Sequence, residues 1–197
     1  MSPVDDSARI LVVAGSIATG KTHLLDALSG ALRLPAYPER WAENPWFDAE
    51  LRDAFSSQLW FLLAAGSDHA RMSSAGGVQE RCIHENAHVF ARELLGGEEL
   101  ALLEAVYKRL DARLPDPALV IHLTASPETL LERIHERGRA QEHGVTVDYL
   151  RKLASRYRAL IDGWTRCPVI ELDTEAIDVR TADGVRHVLG RTSEMTS

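Results

Sequence analysis

A chain of 197 residues, 45% hydrophobic and 26% charged, has the material for one domain with a sizeable core. Its formal net charge of −7 argues against non-specific binding to nucleic acid or a membrane surface, so local basic clusters should matter more than global charge. Two cysteines, Cys82 and Cys167, exclude a disulfide framework or a four-cysteine zinc site, which leaves the reducing cytoplasm as the expected compartment.

In chain order, the apolar run Ile10–Ala14 predicts a first buried strand. Behind it stands Gly15-Ser16-Ile17-Ala18-Thr19-Gly20-Lys21-Thr22, a complete G-x-x-x-x-G-K-[ST] phosphate loop. A helical pattern follows at Leu24, Leu25, Ala27, Leu28 and Leu32. This strand–loop–helix context is what separates a phosphate site from a chance glycine-rich turn. The glycines let backbone N–H groups converge, and the helix adds its positive end. Lys21 can reach terminal phosphates, and the Thr22 hydroxyl suits Mg²⁺.

A short strand is predicted at Ala36–Pro38, ending at Glu39, and another at Val78–Arg81. Leu119–Leu123 and Val169–Leu172 complete the strands. Helices are predicted near Leu51–Arg71, Ile83–Leu95, Glu98–Leu110, Pro127–Arg137 and Val147–Trp164. Ser126 and Pro127 make a good helix start, and Arg137-Gly138 a good stop. The alternation predicts an α/β fold: a P-loop NTPase-like three-layer domain, with a five-stranded parallel sheet flanked by helices and an Arg-rich lid. There is no leader-type N-terminus and no apolar run of membrane-spanning length. Residues 1–197 read as a single domain, with the polar stretch Arg191–Ser197 expected to fray.

Ligands of open parallel sheets sit beyond the carboxyl ends of the strands, where the phosphate loop, Glu39 and Glu80-Arg81 all fall. Glu39 reads equally as a general base toward a hydroxyl or as a solvated surface carboxylate. Arg81 suits bidentate phosphate contact and Glu80 a water-mediated Mg²⁺, against a plain surface ion pair. Arg133, Arg137 and Arg139 read as a mobile clamp on a transferring phosphoryl group, or as a basic helix terminus favoured by the dipole. Gln58 interrupts the apolar stripe Leu51, Phe55, Leu59, Leu62, as a base-reading amide or a satisfied core residue. Asn86 and Phe90, four apart, offer an amide and a ring on one helix face.

Together these residues resemble the deoxynucleoside kinase family, from about Ile10 to Asp178. The resemblance rests on the phosphate loop, Glu39 with Asn44-Pro45, Ala54-Phe55-x-x-Gln58, Glu80-Arg81-Cys82-Ile83, Phe90-Ala91, Arg133-Ile134-x-x-Arg137-Gly138-Arg139-x-x-Glu142, Tyr149-Leu150-x-x-Leu153 and Pro168-Val169-Ile170. It implies a homodimeric kinase that moves the γ-phosphoryl group of ATP, with Mg²⁺, to a nucleoside 5′-hydroxyl. On that resemblance Glu39 is the base, Arg81 holds Glu39 and the phosphoryl group, and Thr22 and Glu80 serve the metal. Arg133, Arg137 and Arg139 form the lid. Gln58 reads the nucleobase, Phe90 stacks on it and Glu142 binds the sugar 3′-hydroxyl. Asp178 and Val179, in the segment Ile177–Arg180, receive the base of the donor.

The acceptor side departs from the family pattern. Cys82 replaces the usual Ser, Ala65 replaces an Arg seven residues after Gln58, Asn86 replaces its Asp partner, and Phe47 stands at the spacing of a sugar-binding Tyr. This mismatch implies altered base or sugar preference. Three rival readings remain. Nucleoside monophosphate kinases of the thymidylate kinase type share the loop and lid but need a second anion pocket, for which only Arg81 and Arg40 offer themselves. His84-Glu85-Asn86-Ala87-His88 matches the H-E-x-x-H zinc peptidase pattern, but leaves the phosphate loop without a job. A non-catalytic nucleotide-binding regulator would not need Glu39.

Overall fold

The computed structural model describes residues 9–47, 53–139 and 142–195. Five strands form one all-parallel sheet: β1 (Ile10–Gly15), β2 (Ala36–Tyr37), β3 (Gly77–Glu80), β4 (Leu119–Thr124) and β5 (Val169–Asp173), in the order β2-β3-β1-β4-β5. β1 is buried along its whole length, as expected of a central strand covered on both faces. Leu11 and Val13 face one side, with Leu24, Leu25 and Leu28 of helix α1 (Lys21–Leu32). Val12 and Ala14 face the other, with Cys82 and Val120. Pairing of Gly15 with Leu123 and of Val13 with Glu80 brings the strand ends together where the sequence placed its polar groups.

Helix α2 (Ala54–Ala75) starts at Asp53, whose carboxylate accepts the Ser56 N–H at 2.9 Å. It runs one turn past the predicted end at Arg71, and its predicted start at Leu51 lies outside the described residues. The predicted helix Ile83–Leu95 is composite: α3 (Ile83–Glu85), a π-helical segment Asn86–Ala91 and α4 (Arg92–Leu94). Such wider turns recur at functional sites. Helices α5 (Gly97–Asp111), α6 (Pro127–Arg137) and α7 (Val147–Asp162) follow. α6 begins with the Ser126 cap and Pro127, and stops at Gly138 in the left-handed region, φ 66°.

A last helix, α8 (Ala182–Met195), adds an element beyond those predicted. Within the stretch expected to fray from Arg191, residues through Met195 are helical, while residues 196–197 lie outside the described residues. Val188 and Thr192 are buried by α8, the former against the α1 face of the core, which is what holds the chain end in place.

Candidate active site

The phosphate loop leaves β1 at Gly15 and enters α1 at Lys21. Gly15 has φ 145°, and a Cβ there would lie 2.5 Å from the Leu123 carbonyl oxygen, so only glycine fits. Lys21 curls back to donate to the Ser16 carbonyl at 2.8 Å and lies 4.0 Å from Glu80. Burial pushes its pKa down to about 8, helped by Arg81 and opposed by Glu80 and Glu39. The Ser16 hydroxyl oxygen is buried without a hydrogen-bond partner. A cradle lined by backbone N–H groups, a desolvated ammonium and an unmet hydroxyl fits the phosphates of a nucleotide. Thr22 donates to Glu80 at 3.0 Å, and this hydroxyl–carboxylate pair is a hard-oxygen donor set of the kind Mg²⁺ takes.

Arg81 closes β3 in the left-handed region, φ 64°, a strained conformation for a residue with a Cβ. That turn aims its guanidinium at Glu39, just past β2, with Nε 3.3 Å from Oε1. The contact is an ion pair without hydrogen-bond geometry, since Arg81 Nε has no hydrogen-bond partner. Burial alone would lower the Arg81 pKa, but Glu39, Tyr157, Glu85 and Glu80 outweigh it and hold the pKa raised. Phosphate loop, Glu39, Glu80 and Arg81 therefore gather at the carboxyl ends of β1, β2 and β3.

A cleft opens beside Glu39 and Arg81, and Trp60, Phe61, Ala65 and Asn86 help to line it. Asn86 donates to the Phe61 carbonyl at 3.2 Å. Phe47 packs edge-on against Phe61 at 5.5 Å. Gln58 is buried, with Oε1 unbonded. The Phe90 ring carries the Arg81 guanidinium at 4.0 Å, so that face is closed to a stacking ligand. Sequence reasoning missed the ion pair between Arg40 and the buried Asp68, at 3.3 Å, which also lines the cleft. Burial raises the Asp68 pKa against the pull of Arg40.

The lid residues are engaged with the protein itself. Arg133 donates to the Thr174 hydroxyl at 2.8 Å and to its carbonyl at 3.0 Å, beyond β5. Arg137 forks onto Glu142 at 2.6 Å, and Arg139 lies 4.5 Å above the Trp41 ring. Asp178 pairs with Arg180, whose hydrogen bonds hold its pKa down to about 2. Val179 is buried, and its side chain approaches Gly20.

The H-E-x-x-H residues diverge. His84 bonds the Tyr107 hydroxyl at 2.9 Å and His88 packs its ring against the same Tyr107, while Glu85 turns away to the Gly15 N–H at 3.2 Å. Among the described residues no three His, Cys, Asp or Glu side chains are grouped to hold a metal ion. The zinc peptidase alternative is corrected accordingly: Glu85 serves the phosphate loop, and Cys82-x-x-Glu85 is a helix capping box. That spacing was the overlooked signal.

The sequence profile described as deoxynucleoside kinase matches residues 11–193. The chain is 28% identical over 185 residues to the deoxyadenosine/deoxycytidine kinase of Bacillus subtilis (strain 168), covering 86% of this chain and 84% of that protein. It is 32% identical over 184 residues to the deoxyadenosine kinase of Dictyostelium discoideum, covering 85% and 74%. The solved structure of deoxyadenosine kinase from M. mycoides with bound dATP superposes with a TM-score of 0.78 at 18% identity, covering 94% of this chain and 99% of that one, a match of fold. Because the profile spans the sheet, the phosphate loop and the last helix together, the chain belongs to the deoxynucleoside kinase family, phosphotransferases whose acceptor is a nucleoside hydroxyl.

Proposed function

We propose that this enzyme transfers the γ-phosphoryl group of ATP to the 5′-hydroxyl of a deoxynucleoside, with base or sugar recognition of its own. The observation that carries this reading is the Arg81–Glu39 ion pair gathered at the same strand ends as the phosphate loop, whose Lys21 contacts Glu80. Glu39 is the general base that takes the hydroxyl proton as the new P–O bond forms. Arg81 orients Glu39 and faces the charge that develops on the transferring group. The backbone of residues 15–22 and Lys21 hold the donor phosphates. Thr22 and Glu80 would hold Mg²⁺, which when bound supplies charge neutralisation to those phosphates. Arg137 and Arg139 exchange Glu142 and Trp41 for the donor as the lid closes and excludes water, and Arg133 joins them on leaving Thr174. Asp178 and Val179 flank the donor base, and Glu142, freed from Arg137, meets the sugar.

The names of the relatives support a deoxynucleoside, since they include deoxyadenosine, deoxycytidine and deoxyguanosine kinases. Altered base recognition is supported by Ala65 and Asn86, which leave the cleft with neutral groups where the family pattern has a charged pair. Arg40 and Asp68 supply a different charged pair, and Arg40 Nε and Gln58 Oε1 both lack a partner. An unmet buried polar atom costs about 1–3 kcal/mol, which a ligand edge recovers. Trp60 and Phe61 supply the apolar walls of the cleft. We further read residues 1–197 as one domain acting in the cytoplasm as a homodimer. The two free cysteines suit a reducing compartment, and the homodimer rests on the family resemblance.

The reading is tested by turnover of a panel of ribo-, deoxyribo- and modified nucleosides and nucleoside monophosphates with ATP. Nucleosides are expected to be phosphorylated and monophosphates not. A strict preference for one ordinary deoxynucleoside at typical family efficiency would remove the altered-recognition part, and phosphorylation of monophosphates alone would remove the whole.

A further inference from the structure

Glu85 and Tyr157 have no role in the chemistry above, yet they are only 1% and 2% exposed and both grip the first residue of the phosphate loop. Glu85 Oε1 accepts the Gly15 N–H at 3.2 Å, and Tyr157 donates to the Gly15 carbonyl at 2.7 Å. The two side chains also meet each other at 2.9 Å. The other Glu85 oxygen accepts the Cys82 N–H at 3.0 Å, one residue beyond Arg81. Helix capping uses only that last bond and needs no burial. A carboxyl group sealed from water is costly unless hydrogen-bonded throughout, so this one is retained for what it joins.

We propose that Glu85 and Tyr157 are positioning residues that set the distance between the donor cradle and the Arg81–Glu39 pair. The proposal rests on the kinase reading above. Gly15 has no side chain with which to anchor itself, and its peptide groups are held from both ends by this pair of side chains. The same carboxyl fixes the backbone that follows the strained Arg81. Tyr157 comes from α7 and is itself locked, stacked on His122 at 5.3 Å and edge-on to Phe90 at 6.2 Å. The link therefore ties the end of β1, the end of β3 and the α7 helix that packs on α6 beneath the lid. In-line transfer is intolerant of slack here, because a shift of about 1 Å in a reacting group costs about 100-fold in rate.

The hydrogen-bond pattern identifies the conservative variant. Tyr157 has one hydroxyl proton and two acceptors within reach, the Gly15 carbonyl and Glu85 Oε1, so the two share it. Burial raises the Glu85 pKa, although Arg81 and Lys21 pull it down. Glutamine in its place offers a donor to Tyr157 and an acceptor to Cys82, losing only the Gly15 bond.

The test compares full-length Tyr157→Phe, Glu85→Ala, Glu85→Gln and the Tyr157→Phe/Glu85→Ala double variant with wild type. Steady-state kinetics in both substrates are paired with calorimetric ADP binding. Tyr157→Phe and Glu85→Ala are each expected to lower kcat about 10- to 100-fold. The nucleoside KM and ADP affinity are expected to move by less than about threefold, and Glu85→Gln to fall between Glu85→Ala and wild type. The double variant is expected to be no slower than the worse single one, because both act through one link. A Tyr157→Phe enzyme with unchanged kcat, a loss carried by KM alone, or losses that multiply in the double variant would overturn the proposal. If Glu85→Ala fails to fold, Tyr157→Phe decides alone, since it keeps the ring packing. A wild type that phosphorylates no nucleoside overturns the kinase reading and this proposal with it; a working wild type with an unaffected Tyr157→Phe overturns this proposal only.

Discussion

Glu39 is the base in the proposed reaction, and its surroundings suit that role. It is partly exposed beside a buried arginine, which orients it without sealing it from an incoming hydroxyl. Replacing it by glutamine keeps the shape and removes the proton acceptor. Glu39→Gln is therefore expected to reduce kcat by about 10²- to 10⁴-fold with little change in nucleoside KM. Steady-state kinetics against nucleoside concentration check this, and a change confined to KM would recast Glu39 as a binding residue. Lys21 carries a complementary lesson. Its ammonium is held away from water, donating to the Ser16 carbonyl with Glu80 at 4.0 Å, so a bound phosphate would add the charge its burial calls for.

Elements owe their positions to a few points of close approach. The turn from β1 into the loop passes against the Leu123 carbonyl of β4, and there a methyl group has no room. Gly15→Ala is expected to destabilise the protein by about 1–3 kcal/mol through backbone strain, before any effect on nucleotide binding. Gly30 lies inside α1 with open space around its missing side chain, so Gly30→Ala is expected to stabilise by about 0.5–1 kcal/mol. Urea unfolding midpoints at constant slope check both in one experiment. The elements were largely legible because β1, β4 and α6 announce themselves by apolar runs and caps that local chemistry dictates. α8 escaped because its buried positions, Gly184, Val188 and Thr192, are weakly apolar and spread through a polar segment. The phosphate loop and Glu39 were legible from position at strand ends. Arg40–Asp68 and Glu85–Tyr157 were not, because each joins residues 28 and 72 positions apart and neither carries a local pattern. The composite helix was invisible for another reason: one wide turn shifts a periodicity without erasing it.

At the scale of the molecule, acid sensitivity follows from buried histidines. Burial lowers the pKa of His84 to about 4 and also lowers those of His88 and His122. Their value in an unfolded chain is about 6.5. Between those limits the unfolded state binds more protons, so their contribution to stability is complete above about pH 6.5 and is lost as pH falls toward the folded value. Glu85 and Asp68, raised by burial, act in the opposite sense. The histidine part is therefore read as a difference: stability from pH 7 to 5 is expected to fall less steeply in His84→Gln than in wild type, measured by urea titration at each pH. Equal slopes would show that His84 does not contribute.

The carboxylate proposed as the base hangs from the sheet's margin. β2 is held to its single neighbour at only two register positions, Ala36 with Val78 and Tyr37 with Gln79, whereas the loop that cradles phosphate grows from the innermost strand. In the proposed reaction one reactant would thus be received by the innermost strand and the other by a border held by a few backbone bonds, each worth about 0.5–1.5 kcal/mol. On that reading, loosening the hem would let nucleosides of differing girth in while the anchorage for the nucleotide stays undisturbed.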